Sequence, residues 1–486
     1  MRATAFLSAA LAFVIGGLTA PAQAAPDQPN ILFIMADDLG KEWISAYGAE
    51  DVETPHIDRL AETGMKFTNA YCMPQCTPTR VTLLTGQYPF HHGWTNHFDV
   101  PRWGSGAHFD AERNASFARL LREAGYATAI AGKWQIDDFR VEPRALYAAG
   151  FDAWAMWTGG EGGNRSSNKR YWDPYIHMGD AMETESRTHH GKYGPDIYTD
   201  FLIDFMEKHK NEPLLLFYPM CLVHAPRPAT PDHPDLEGDK KVRHTAMVRY
   251  MDKLVGRLVK ALETNGIRDD TIVIFTTDNG TAGIQTTANG HQFNGSKGNR
   301  IEPGVSMPFI VSCPGIVPEG VETDALTDFT DILPTFAELA GTQPNDRWQV
   351  DGHSIAPVML GKAEQSPREW IYAQGGGVGS FENQRVVPQK QYDERVIRGK
   401  RWKLWVDDSR RAVALYDLQN DPWEKNNMID SDDPQVQAAR QQLMSVIKQM
   451  PKVDAAPRYD PNPAMPWDRY DSYKGMLEAP SRRVRD

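Results

Sequence analysis

Runs of strand length in which apolar residues dominate recur through the first two thirds of the chain: Ile31 to Ala36, Ala127 to Ala131, Leu214 to Tyr218 and Thr271 to Thr277. Side chains alternate between the two faces of a sheet, so a strand apolar at consecutive positions must be covered on both sides. That demand leaves few architectures. The segments between these runs carry helical periodicity. Thr54-Pro55 opens one helix, with Ile57, Leu60 and Ala61 as its buried stripe and Gly64 as its end. Thr77 and Pro78 signal a second, with Val81 and Leu84 inward and Gly86 as terminator. Asn114 is the expected cap of a third, whose stripe is Phe117, Leu120 and Leu121. Ile197, Phe201 and Phe205 mark a fourth, and Met247, Tyr250, Met251, Leu254, Val255, Leu258 and Leu262 a long fifth closed by Gly266. Helices alternating with buried strands predict an α/β fold: a large mixed, mostly parallel sheet sandwiched by helices.

Beyond about residue 365 the pattern shortens. Trp370 to Gln374, Val396 to Arg398 and Trp402 to Val406 read as strands and Val436 to Met450 as a helix, giving a smaller C-terminal α+β subdomain. Arg2, the apolar run Ala5 to Thr19 and the small-x-small triplet Ala22-Gln23-Ala24 have the form of a signal peptide. The expected division is therefore a signal peptide over 1–24, a catalytic domain over 25–360, the subdomain over 361–455 and an extended tail over 456–486. Such a protein is expected in the periplasm or secreted. No later stretch approaches the roughly 18 apolar residues of a membrane span. The formal charge of -12 comes without a basic stripe, which argues against nucleic acid as a partner. Four cysteines, Cys72, Cys76, Cys221 and Cys313, are too few for a disulfide scaffold in 486 residues.

In open α/β sheets ligands collect beyond the carboxyl ends of the strands. Asp37 and Asp38 follow one apolar run directly, and Asp278 and Asn279 follow another. Three carboxylates and an amide oxygen suit a hard divalent cation, calcium better than zinc, although each pair read alone is also an ordinary polar turn. Cys76 stands at the start of the second helix, beside unpaired backbone N–H groups that stabilise negative charge, and Arg80 lies one turn on. The residues themselves leave open whether Cys76 is a nucleophile or a structural thiol. Lys133, His224 and Lys297 occupy loops near strand ends, where they could surround the oxygens of an anionic ester.

The stretch Cys76-Thr77-Pro78-Thr79-Arg80, continued to Thr85-Gly86, resembles the Cys-x-Pro-Ser-Arg hallmark of the sulfatase family, within the alkaline phosphatase superfamily. Blocks at Pro29 to Gly40, Gly132-Lys133-Trp134, Tyr250 to Gly280, Lys297 to Pro308, Asp328 to Gly341, Asp351 to Ser354, Arg398 to Leu404 and Leu415 to Asn426 resemble the same family in the same order. The resemblance implies an alkaline-phosphatase-like fold and a formylglycine-dependent sulfuric ester hydrolase. It implies that a maturation enzyme oxidises Cys76 to formylglycine (3-oxoalanine), whose hydrate attacks sulfur. It implies one calcium ion held by Asp37, Asp38, Asp278 and Asn279 with the modified Cys76, a hydrate steadied by Arg80, and a sulfate held by Lys133, His224 and Lys297. Of these, His224 or Lys297 protonates the departing oxygen.

Thr79 replaces the usual Ser, a mild departure. Two others matter more. Gln135 stands where the family usually has the histidine that takes a proton during sulfate release; an amide cannot accept that proton, so a substitute base is expected, such as a metal-site carboxylate or His291. Ser306 stands in Glu302-Pro303-Gly304-Val305-Ser306-Met307-Pro308, where the family carries an arginine, and altered packing is the expected result. The substrate is expected to be a sulfated oligosaccharide. Its contacts are sought in His91, His92, Trp94, His97, Arg102 and Trp103, and in the insert from Phe151 to His190 with Trp154, Trp157, Arg165, Lys169, Arg170, Tyr171, Trp172 and Tyr175. The competing readings are a phosphodiesterase or phosphonate monoester hydrolase of the same superfamily, and a glycan-binding protein without catalysis.

Overall fold

The computed structural model describes residues 28–98, 100, 108–382, 385–463 and 465–467. The expected signal peptide, and Arg102 and Trp103, lie outside them. Strands β1 (Asn30–Ala36), β2 (Met65–Tyr71), β3 (Ala127–Lys133), β4 (Ala153–Trp157), β5 (Tyr175–Asp180), β6 (Thr184–Thr188), β7 (Leu214–Pro219) and β8 (Thr271–Thr277) enter the main sheet. A hairpin of β9 (Gln285–Ala288) and β10 (His291–Asn294) stands apart, and β11 (Ser306–Ser312), β12 (Val321–Thr323) and β13 (Thr327–Asp328) complete the sheet. Its order is β12-β2-β11-β8-β1-β7-β3-β4-β5-β6, with β13 also on β2. The run β8-β1-β7-β3-β4 is parallel throughout, while β11, β5 and β6 join antiparallel. The expected mixed, mostly parallel α/β sheet is present.

β1 shows why its sequence had to be apolar at every position. Ile31, Phe33 and Met35 pack into one core with Val81, Leu84, Phe117, Leu121, Ile332 and Phe336. Leu32, Ile34 and Ala36 pack into the opposite core with Ile57, Leu60, Leu202, Met247, Met251 and Leu258. The helices Cys76–Thr85, Phe117–Glu123 and Ile332–Leu339 thus cover one face, and Pro55–Glu62, Gly194–His209 and Lys240–Thr264 the other. A four-stranded antiparallel sheet (Ile371–Gln374, Arg395–Arg398, Trp402–Val406, Ala412–Asp417) with the helix Pro434–Gln449 forms a smaller C-terminal layer around a third core, to which Tyr71, Tyr88 and Phe90 of the larger body also contribute. Residues 451–463 return across the larger body as a strap, Ala455 N–H donating to Phe90 O and Arg458 to Gln87 Oε1.

Several local expectations are corrected. Ser116, not Asn114, precedes the helix Phe117–Glu123; Asn114 instead donates to Asp110 O and Arg458 O. The Gly194–His209 helix buries Tyr198, Leu202, Phe205 and Met206, leaving Ile197 and Phe201 half-buried. The strand Ala412–Asp417 was not anticipated. The largest correction concerns the segment 151–190. It contributes β4, β5 and β6 to the main sheet, and Trp154, Trp157 and Tyr171 are buried in the two cores rather than displayed to substrate. Polar and glycine-rich stretches masked the period of edge strands that are only half covered. Among those aromatics Trp172 is the exposed one, at 37%. Replacing fully buried Trp154 by Ala is expected to lower the unfolding free energy by about 3–5 kcal/mol in urea titrations. A loss of less than about 1 kcal/mol, as for a surface ring, would return Trp154 to the substrate wall.

Candidate active site

β1 and β8 lie side by side with Ala36 opposite Thr277, so both chains leave the sheet at one level. This register sets Asp37 and Asp38 against Asp278 and Asn279, all four at most 1% exposed. Asp38 adopts a positive φ of 61°, an uncommon conformation for a residue with a Cβ, and its N–H donates to Asp278 Oδ1 at 3.1 Å. Asn279 Nδ2 donates to Asp38 Oδ1 at 2.8 Å. Three buried carboxylates so close repel one another, and three cations answer them. Lys133, the last residue of β3, donates to Asp37 Oδ2 at 2.7 Å. Lys297 pairs with Asp38 Oδ1. Arg80 donates to Asp278 Oδ2 at 2.8 Å and to Lys133 O at 2.6 Å, and stands 4.0 Å from Asp37 Oδ1.

The titration behaviour follows this charge pattern. Burial works to raise Asp37, but Lys133 above all outweighs it and holds the carboxyl below its usual range. Burial is likewise outweighed at Asp38, by Lys297 first. Asp278 goes the other way, raised well above the usual value by burial and then by the neighbouring charge of Asp37. Burial pushes His224 down to about 3, so its ring is neutral although Nε2 is 3.5 Å from Asp38 Oδ2. Arg170 Nη1 lies 3.2 Å from His224 Nδ1 while its guanidinium covers the Trp157 ring at 4.0 Å.

Cys76 is the first residue of the helix Cys76–Thr85, which Gly86 ends in a left-handed turn. Thr79 keeps the job of a hydroxyl there, donating to Met73 O at 3.0 Å. Gly298 N–H donates to Pro74 O at 2.8 Å, fastening the Lys297 loop beside the helix start. Arg80, one turn on in the same helix and bound to Asp278, and the Lys297 loop fastened by Gly298 set Cys76 beside the carboxylate cluster. All four cysteines are free thiols.

The positions proposed from sequence are therefore brought together, and two further contacts emerge. His97, expected only as a sugar contact, has Nδ1 at 3.6 Å from Cys76 Sγ and 3.3 Å from Thr77 Oγ1. Arg170 touches His224 from the insert. Gln135 is buried with φ 76°, and its Oε1 has no hydrogen-bond partner. His291 is exposed on β10 against Trp423, on the separate hairpin, which weighs against it as the substitute base. Of the other loop residues, Trp94 and His92 are buried, His91 pairs with Asp351, Arg165 is exposed, and Lys169 pairs with Asp173. Glu302, in the block that lacks the family arginine, is paired with Lys403 at 3.0 Å, while Ser306 accepts from Lys41.

Comparison with known proteins settles the family. The family described as Sulfatase matches residues 29–342, about two thirds of the chain, and N-sulphoglucosamine sulphohydrolase, C-terminal, matches 296–453. The chain belongs to the sulfatase family. It is 30% identical to the steryl-sulfatase of Mus musculus over 76% of this chain and 71% of that one. It is 29% identical to the N-acetylgalactosamine-6-O-sulfatase of Bacteroides thetaiotaomicron over 87% and 93% respectively. A crystal structure of Ps i-CgsB superposes with a TM-score of 0.73 at 25% identity, covering 94% of this chain and 98% of that one. This sulfatase is accordingly a sulfuric ester hydrolase.

The pairing of Arg80 with Asp278 yields a stability test. In the metal-free sulfatase, Asp278→Ala strands a buried guanidinium short of its main partner, and the expected loss is about 3–5 kcal/mol in urea unfolding. An unchanged midpoint would show that Lys133 O and Asp37 satisfy Arg80 without it.

Proposed function

We propose that this sulfatase releases inorganic sulfate from a sulfated carbohydrate, with Cys76 converted to formylglycine and one calcium ion held by Asp37, Asp38, Asp278, Asn279 and the modified side chain. The observation that carries the reading is the joining of nucleophile, carboxylates and cations in one buried cluster: Arg80, one turn beyond Cys76, binds both Asp278 and the main chain of Lys133. The donor set fits calcium. It is all oxygen, and Asp37 Oδ1 and Asn279 Oδ1 are buried without a hydrogen-bond partner, the state expected of atoms that await a cation. When bound, calcium supplies a positive charge that lowers the pKa of a hydroxyl beside it and draws in a sulfate oxygen.

The chain's own residues do the rest. Arg80 orients the nucleophile. Lys133 and Lys297, which pair with Asp37 and Asp38, are the positive groups that would bind the sulfate oxygens were calcium to hold those carboxylates. His224, its ring neutral, lines the sulfate beside Lys297, which is left as the proton donor to the leaving oxygen. Gln135 orients a hydroxyl through its free Oε1 but holds no proton. His97, the imidazole beside Cys76, accepts the proton in its place. A carbohydrate is favoured over a small aryl ester by the kinship with an N-acetylgalactosamine-6-O-sulfatase and by Arg170, whose fork beside His224 suits a sugar hydroxyl or carboxylate. We assign residues 1–24 to export and 25–360 to the catalytic unit, 361–455 to the subdomain and 456–486 to the tail. The mature protein is then periplasmic or secreted, and a formylglycine-generating enzyme is a required partner. No described helix is long and apolar enough to cross a membrane.

Protein made with the maturation enzyme should yield a Cys76 peptide about 18 Da lighter than the thiol form. The same preparation should free sulfate from sulfated oligosaccharides, and Cys76→Ala should abolish this. Faster cleavage of a matched phosphodiester would move the chain to the phosphodiesterase reading. In the same assay, His97→Gln should lower turnover by about 100-fold or more. Gln135→His should leave turnover within about tenfold or raise it, because it restores a base where the amide now stands. Undiminished turnover in His97→Gln would remove His97 as the base and return that role to a metal-site carboxylate.

A further inference from the structure

Where the C-terminal strap crosses the body, three ionisable side chains meet outside the catalytic cluster. His108 is 7% exposed, Asp137 1%, and Glu142 is half-buried. Imidazole Nδ1 lies 2.8 Å from Glu142 Oε2 and 3.8 Å from Asp137 Oδ1, and the three ligand-type atoms fall within 4.8 Å of one another. The other ring nitrogen, Nε2, is 2.9 Å from Asp460 O. A carbonyl only accepts, so Nε2 carries the hydrogen, and in the neutral ring Nδ1 turns its lone pair toward the two carboxylates. Nδ1 is buried without a partner in hydrogen-bond geometry, Glu142 Oε2 being near in distance but not in direction.

The surroundings hold each group in place. Asn462 Nδ2 donates to Glu142 Oε1 at 3.1 Å. Trp134 Nε1 donates to Asp137 Oδ2 at 2.5 Å, and Phe109 N–H to Asp137 Oδ1 at 3.0 Å. The Tyr459 ring packs edge-on against the imidazole at 5.6 Å. This is the pattern of outer partners that orients metal-binding imidazoles and carboxylates. Charge points the same way. A dication would balance both carboxylates at once.

We propose that His108 Nδ1, Asp137 and Glu142 form a second metal site, for a zinc-type first-row dication, that clasps the C-terminal strap to the segment following Trp134. One imidazole and two carboxylates suit zinc, whereas calcium prefers oxygen alone. The ion would join three stretches far apart in sequence: the one holding His108, the loop that carries Gln135, and the strap through Asp460 and Asn462. The site does not depend on the reaction assigned to the catalytic cluster.

The test uses the full-length protein, stripped with a chelator, saturated with millimolar calcium so that the catalytic carboxylates are occupied, then equilibrated with zinc and desalted. About one zinc per chain should be retained by elemental analysis. The melting temperature should rise, and zinc-edge X-ray absorption should show an imidazole nitrogen with oxygen donors and no sulfur. His108→Gln and Glu142→Gln, checked for folding by circular dichroism, should each lose the retained zinc. Failure of the wild-type protein to keep zinc, an all-oxygen or sulfur-containing absorption spectrum, or undiminished retention in both variants would overturn the proposal and leave an imidazolium–carboxylate pair. Should neither variant fold, the wild-type absorption spectrum decides.

Discussion

Three carboxylates confined in one dry volume are the constraint around which this sulfatase is arranged. Adjacent parallel strands ending at the same level put Asp37, Asp38 and Asp278 there, and the sheet register gives them no room to separate. Unbalanced, that charge would oppose folding, because burial penalises every ionised carboxyl and each one penalises its neighbours. Arg80, Lys133 and Lys297 are drawn in from a helix, a third strand and a loop to offset it. Because these cations come from separate elements, the charge balance also ties the helix, the third strand and the loop to one point.

Around this cluster the body is built in two covered layers, and the C-terminal region is tied back to it in three places. Its small sheet shares a core with Tyr71, Tyr88 and Phe90 from the larger body. Buried Arg368 donates to Asp328 and Asp331, which cap the turn before the helix Ile332–Leu339. The strap then runs on to Asp460 and Asn462, beside the segment that follows Lys133 and Gln135. A loop with a strained residue at Gln135 is thus braced from outside by residues more than three hundred positions away.

How legible all this was depends on the kind of signal. β1, β7 and β8 were plain because each is buried on both faces and so is apolar along its length. β5 and β6 were not, because strands at this end of the sheet carry residues such as His177, Glu185 and Arg187 that a loop would also carry. The same ambiguity made Trp154 and Trp157 look like a binding wall when they are core. Cys76, Arg80 and the carboxylate pairs were legible because their motif is local: a helix start and two strand ends. His97 was visible only as one polar residue among several.

The sequence by itself determined the covered parallel sheet, the carboxylates at its strand ends and the helix-initiating cysteine, since each follows from the order of residues over a dozen positions or fewer. Only the tertiary structure decided that His97 faces Cys76, that Arg170 reaches His224, and that the strap closes over His108. Those contacts join segments whose separation along the chain carries no periodic trace, and they exist because packing the two cores brings the loops to one side of the sheet.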